Sequence, residues 1–191
     1  MQQASSHTGR PSFSSTRSEA TAPALQPVTL SESNLMLVAL VRIFVGMLWL
    51  QQLAWKMPPT FSGLHEYVVK EAQNTFIPGY SVIIKQVFLT HFTFLGIGVW
   101  TAELIVGITL LFGLCSRLGA LLATVLALQL YVGLAYAPGE WYWTYGMLVL
   151  LGLALVAVPA GRRLGVDQLL HPRVKAAAQT NWLARVLSWC S

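Results

Sequence analysis

LMLVALVRIFVGMLWL, residues 35–50, is apolar at every position except Arg42, whose guanidinium cannot lose its charge. A stretch of this kind predicts a membrane-spanning helix, which needs about 20 predominantly apolar residues. The first span therefore runs from about Leu35 to Trp55, with Ser33 or Asn34 as its cap. A fixed charge inside such a helix calls for a partner or a function.

The composition points to the same class of protein. The chain has 191 residues, of which 55% are hydrophobic and only 10% are charged, whereas soluble domains carry about a quarter charged residues. The net charge of +5 does not indicate nucleic acid, because the basic residues flank apolar runs and are not interleaved with aromatic residues. The two cysteines occur in no zinc-binding spacing, so we expect no metal.

Three further apolar runs predict spans at about 94–113, 118–136 and 141–158. The predicted fold is an all-α integral membrane protein, a four-transmembrane-helix bundle with short interfacial helices. One such helix is expected in the connector at 57–80 and another at the C-terminus. The expected organisation is a disordered cytoplasmic tail (1–33), a membrane domain (34–170) and an amphipathic C-terminal segment (171–191).

The distribution of basic residues predicts the orientation. Most arginines fall in the two termini and in the connection after the second span, while Lys56, Lys70 and Lys85 lie on the opposite side. Cytoplasmic segments carry the excess of Lys and Arg. We therefore expect a multi-pass protein of the cell inner (plasma) membrane with both termini in the cytoplasm.

Arg42 and Glu103 are candidates for an intramembrane polar pair. Counted along two antiparallel spans, they fall at nearly the same depth. Each alone would cost about 2.5–3.5 kcal/mol to insert, and a carboxylate facing a guanidinium offsets much of that cost. The pair would either fix the register of the helices or line a polar pocket.

Other polar residues of the spans could contribute to such a pocket. The candidates are Gln51, Thr101, Gln129 and Tyr145. Tyr145 has an alternative role in an interfacial aromatic belt with its neighbours at 141–143. No nucleotide-binding, zinc-protease or nucleophile motif occurs in the sequence, so no catalytic residue is assigned.

Several motifs resemble the DoxX-like family of membrane proteins. VRIFVGMLWLQQLAWKM, with Arg42, Gly46 and Lys56, is similar to the first helix of that family. ELIVGITLLFGLCSRLGALLA resembles its second and third helices, and GRRLGVDQLL its closing segment. The matching positions there are Glu103, Gly107, Gly113, Arg117, Gly161, Arg162 and Asp167. The aromatic GEWYWTYGMLVLLG and the long connector look most like the DoxD branch.

The resemblance implies a membrane subunit of a quinone-linked oxidoreductase, such as thiosulfate:quinone oxidoreductase. Quinone would be its redox partner molecule, and its other partners would be the lipid bilayer and a second redox subunit or membrane complex. The alternative is a non-catalytic scaffold or assembly subunit of a larger membrane redox complex, since no cofactor motif is present. A transporter is a weaker alternative, because paired broken helices are lacking.

Overall fold

The computed structural model describes residues 31–177 and 182–190, and all regular elements in these ranges are helices. Residues 1–30 of the predicted disordered tail lie outside the described residues. The eight α-helices in these ranges are α1 (Glu32–Gln52), α2 (Ser62–Asn74), α3 (Tyr80–Ile83), α4 (Phe92–Phe112), α5 (Ser116–Leu134), α6 (Tyr142–Ala157), α7 (Val166–Ala177) and α8 (Trp182–Cys190). Short 3₁₀ turns occupy Ala54–Lys56 and Ala160–Arg162, and a π-helical turn occupies Ile84–Phe88.

Helix α1 begins earlier than the sequence predicted. Ser31 is its N-cap, and the Ser31 side chain accepts a hydrogen bond from the backbone N–H of Asn34. Neither Ser33 nor Asn34 is therefore the cap. The Ser31 hydroxyl satisfies one of the backbone donors that every helix start leaves without a partner.

Three helical segments are long and apolar enough to cross a membrane: Glu32–Lys56, Phe92–Phe112 and Ser116–Leu134. Helix α6 is also apolar but has only 16 residues, somewhat fewer than the usual minimum of about 17. The four apolar helices expected from the sequence are present, while a fourth membrane crossing stays a prediction.

The four long helices pack in chain order, α1 on α4, α4 on α5 and α5 on α6. Glycines let α1 and α4 approach closely: a Cβ added to Gly46 would lie 2.6 Å from the backbone nitrogen of Leu111. On α5 the small residues Gly119, Ala123 and Ala127, which recur every four positions, are buried. Such small residues are typical of helix contacts in apolar surroundings.

Helix α2 covers one end of this bundle, which we call the roofed end. Its buried face carries Leu64, Val68 and Ala72, which pack with Phe61 and Ile84. The sequence predicted a short helix in this connector, and α2 lies within the predicted range. Helix α1 ends and α4 begins at the roofed end, so these two helices are antiparallel.

The opposite end, where α1 begins and α4 ends, we call the closed end. Helix α7 lies there and runs across residue 170, where the domain boundary was expected. Helix α8 turns Ala184 and Cys190 inward. Its large apolar side chains are exposed: Trp182, Leu183, Val186, Leu187 and Trp189. This pattern matches the expected amphipathic segment.

Candidate functional site

A cavity of about 490 Å³ lies at the roofed end, between α2 and the four long helices. Its walls combine aromatic and aliphatic side chains with a polar group of residues that we call the cavity cluster. The cavity cluster comprises Lys56, Glu71, Glu103, Gln129, Glu140 and Tyr145. A mostly apolar cavity with a few convergent polar groups is the usual form of a small-molecule site.

Glu103 and Lys56 form an ion pair in the wall of this cavity. Both residues are buried, with 2% and 5% of their surface exposed. Glu103 Oε1 accepts the hydrogen bond from Lys56 Nζ, whereas Oε2 is buried and has no hydrogen-bond partner. A buried acceptor without a partner is costly to maintain, so Oε2 is an available acceptor for a bound molecule.

The structure contradicts the predicted pairing of Arg42 with Glu103. Arg42 is fully buried, but its Nη2 donates a 2.8 Å hydrogen bond to the carbonyl oxygen of Leu164, and its guanidinium packs against Gly113. Side chains on a helix point towards its N-terminus. Since α1 and α4 are antiparallel, Arg42 reaches towards the closed end and Glu103 towards the roofed end, where Lys56 meets it.

Arg42 belongs to a second polar group at the closed end, which we call the closed-end cluster. Its acidic member is Asp167, which is fully buried. Asp167 accepts hydrogen bonds from the backbone N–H groups of Cys115 (2.8 Å) and Ser116 (3.0 Å) at the start of α5. A carboxylate at a helix N-terminus satisfies free donors and complements the helix dipole. Asp167 therefore joins α7 to α5 and provides a negative charge for Arg42.

Glu71 of α2 is a site residue that the sequence analysis missed. It is 4% exposed and accepts a hydrogen bond from the side-chain amide of Gln129 on α5. Burial raises the pKa of Glu71 to about 8, against the lowering effects of Gln129 and Lys56. A signal was available: Glu71 lies three residues after Val68 and seven after Leu64, on the apolar face of α2.

Glu140 connects the cavity cluster to the outer rim of the site. It accepts 2.7 Å hydrogen bonds from Lys70 Nζ and from the Tyr145 hydroxyl. Partial burial raises the pKa of Glu140, but the hydrogen bonds from Lys70 and Tyr145 outweigh it, and the net pKa lies below the usual value. Glu140 is therefore ionised at neutral pH, whereas Glu71 is largely neutral.

The structure divides the four residues proposed for the pocket into two pairs. Gln129 and Tyr145 line the cavity and hydrogen-bond to Glu71 and Glu140 respectively. Gln51 and Thr101 are exposed and are not among the residues that line it. Their positions on α1 and α4 turn them to the outer surface of the bundle, so neither contributes to this pocket.

The charges of the cavity restrict what it can bind. Of the described residues that line it, three are glutamates and one is a lysine. Glu71 is largely neutral and Glu103 is paired with Lys56, so the remaining charge in the lining is the negative charge of Glu140. This charge disfavours a multiply charged anion and suits an uncharged molecule with hydrogen-bonding oxygens. Within residues 31–177 and 182–190, no group of three or more His, Cys, Asp or Glu side chains could hold a metal ion.

Residues 63–188 match the protein family described as "TQO small subunit DoxD", where TQO stands for thiosulfate:quinone oxidoreductase. The chain belongs to the DoxD family. The match covers about two-thirds of the 191 residues and includes every cavity-cluster residue except Lys56. No curated protein and no solved structure matches the chain. The family's name as a small subunit implies a complex with at least one other chain.

Proposed function

We propose that this chain is the membrane subunit of a quinone-linked oxidoreductase, thiosulfate:quinone oxidoreductase, and that its cavity binds the quinone head group. The observation that carries the proposal is the cavity itself, which joins aromatic walls to polar groups at the end of an apolar bundle. A quinone ring is flat, apolar on its faces and polar at two carbonyl oxygens. It needs aromatic or aliphatic contacts on its faces and hydrogen-bonding groups at its edge.

The cavity cluster contains hydrogen-bond donors that suit the quinone and an acceptor that suits the quinol. A neutral Glu71 carboxyl can donate a hydrogen bond to a quinone carbonyl, as can the Lys56 ammonium. The unpartnered Oε2 of Glu103 can accept one from a quinol hydroxyl. Reduction of a quinone consumes two electrons and two protons. Glu71 is the proposed donor of one proton, because its carboxyl is largely protonated at neutral pH and lines the cavity. The second proton would come from water, through a reprotonated Glu71, and the two electrons from the donor that the second subunit oxidises.

Thiosulfate would be oxidised elsewhere in the complex. Thiosulfate is a dianion, and the cavity offers it no unpaired positive charge, since Lys56 is paired with Glu103 and Glu140 is ionised. The electron donor would therefore act at the second subunit, which the family's description as a small subunit implies. The proposed location is the inner membrane, with both termini in the cytoplasm and four membrane crossings that include α6.

Quinone binding tests this proposal directly. Trp49, Trp55 and Trp141 line the cavity, so a benzoquinone without an apolar chain should quench the fluorescence of the purified protein in lipid nanodiscs. The corresponding benzoquinol, whose hydroxyl would donate to Glu103 Oε2, should bind Glu103→Gln about tenfold more weakly than the wild type, since a hydrogen bond to a charged acceptor contributes about 1.5–3 kcal/mol. Glu66→Gln, on the exposed side of α2, is the matched control.

Equal benzoquinol affinity in the two variants, or no saturable binding of either redox form to the wild type, would contradict the proposal. The scaffold alternative would then explain the chain better. If Glu103→Gln does not fold, Gln129→Leu tests the same wall, since it removes the hydrogen bond that Glu71 accepts. In the complex with its partner subunit, the variants that lose binding should also lose thiosulfate-dependent quinone reduction.

A further inference from the structure

A groove on the side of the bundle separates α1 from α6. Helices α1 and α4, α4 and α5, and α5 and α6 pack directly on one another, but α1 and α6 form the two sides of a depression of about 830 Å³. Its lining residues are apolar except for Thr144, and none of them is charged. The sides are built by residues of α1 between Leu40 and Leu48 and of α6 between Trp143 and Leu151.

The groove and the cavity adjoin one another. Leu48, Thr144 and Leu148 line both of them. A molecule that occupies the two together must have a polar head with hydrogen-bonding oxygens and an extended apolar chain. From Leu48 to Leu40 the groove follows α1 for about 12 Å towards the closed end.

From these shared lining residues we infer that the groove between α1 and α6 holds the isoprenoid chain of a quinone whose head group lies in the cavity. The assignment rests on the proposed function and adds the route by which the chain leaves the protein. The side chains along the groove that can hydrogen-bond are those of Trp143 and Thr144, both at its roofed end, next to the cavity. The groove therefore suits a hydrocarbon chain, and the cavity suits the polar head.

The test compares two quinones with the same head group, one without a chain and one with a short isoprenoid chain. Met147→Trp places a larger side chain in the groove, while Leu153→Trp, at similar exposure on the same helix (48% and 50%), lies outside it. Affinity is measured for the protein in lipid nanodiscs by equilibrium dialysis with labelled quinones. Partition of the quinone into the lipid is the same for both variants. The ratio of their affinities therefore measures binding to the protein alone.

Met147→Trp should lower the affinity for the chain-bearing quinone by about tenfold relative to Leu153→Trp. The same substitution should leave the affinity for the chainless quinone unchanged, because that molecule needs no exit for a chain. If Met147→Trp does not fold, Leu40→Trp on the opposite side of the groove is the second variant. A photoreactive group on the chain should label peptides within residues 40–48 and 143–151.

The outcomes separate the two proposals. If the chainless quinone binds but Met147→Trp affects both quinones equally or neither, the groove assignment is overturned and the proposed function stands. If neither quinone binds the wild type, the proposed function itself fails. A retained phospholipid that the chain-bearing quinone does not displace would assign the groove to lipid. A Met147→Cys crosslink between two copies would assign it to a dimer.

Discussion

The two ends of the bundle bury charges in opposite ways. At the closed end, glycines pack against Arg42 and Asp167 so tightly that a Cβ added to Gly113 or Gly161 would overlap their side chains. At the roofed end, the charges of the cavity cluster face a space of about 490 Å³. The comparison teaches that a buried charge in an apolar protein indicates a binding site only where space is left beside it. The closed-end cluster is structural, and the cavity cluster is open to a ligand.

Loss of the Asp167 charge should have the largest effect on stability. Asp167→Asn leaves the fully buried Arg42 without its negative neighbour and removes one acceptor from the start of α5. Losing a hydrogen bond to a charged acceptor costs about 1.5–3 kcal/mol, and loss of the negative charge near Arg42 adds to that cost. The measurement is the free energy of unfolding in detergent, with Glu66→Gln as the exposed control. Chainless quinone should still bind the folded fraction normally, and a loss of that binding would break the distinction between the clusters.

Glu71 makes the stability of the roofed end depend on pH. Its pKa is about 8 in the folded chain because of burial, against 4.5 for an ordinary glutamate. The stability that the neutral carboxyl contributes is fully present below pH 4.5 and is lost as the pH rises through 8, since the unfolded chain ionises first. The loss should reach a few kcal/mol across that range.

Glu71→Gln tests this dependence, because an amide keeps an acceptor for Gln129 and does not titrate. Thermal unfolding followed from pH 5 to pH 8 should show a decline in the wild type that is absent from the variant. Parallel profiles for the two proteins would show that Glu71 is ionised in the folded chain. In that case it could not be the proposed proton donor.

Two glycine-to-alanine substitutions compare the packing of the closed end with that of α6 near the cavity. Each adds a single methyl group. In Gly161→Ala the new methyl group would overlap the Asp167 carboxylate and the Ser116 hydroxyl, which should cost about 1–3 kcal/mol. In Gly146→Ala, on α6 near the cavity, the nearest atom is an edge carbon of the Tyr131 ring at 3.7 Å, an ordinary contact. That change should stabilise the protein by about 0.5–1 kcal/mol, since alanine favours helix more than glycine.

Chemical denaturation of the two glycine variants provides the measurement. Opposite signs are expected for the two shifts in the free energy of unfolding. Shifts of the same sign would mean that the closed end accommodates an added methyl group as easily as α6 does at Gly146.

The sequence predicted the helices better than it predicted their contacts. The apolar runs gave α1, α4, α5 and α6 to within a few residues, because each run is set by its own composition. Burial of Arg42 and Glu103 was also correctly expected. Their partners were not, because the estimate of depth used backbone positions and ignored the direction in which long side chains point.

The contacts that the sequence did not predict are long-range ones. Asp167 lies 52 residues from Cys115, to whose backbone it hydrogen-bonds, and no local pattern marks that contact. Gln129 and Glu71 meet across 58 residues, and only the fold of α2 over the bundle brings them together. Glu71 itself was visible as an acidic residue on an apolar face, which is the kind of local inconsistency that marks functional sites.

If the groove between α1 and α6 holds the quinone chain as proposed, it also sets the phase from which this substrate arrives. A quinone that enters through this groove comes from the hydrocarbon interior of the membrane, so its supply depends on the mole fraction of quinone among the lipids. A water-soluble sulfur donor never enters that phase and would reach the complex from the aqueous side. The two substrates would then not compete for one binding route. Quinone reduction would depend on the quinone content of the membrane, and oxidation of the sulfur donor on its concentration in water.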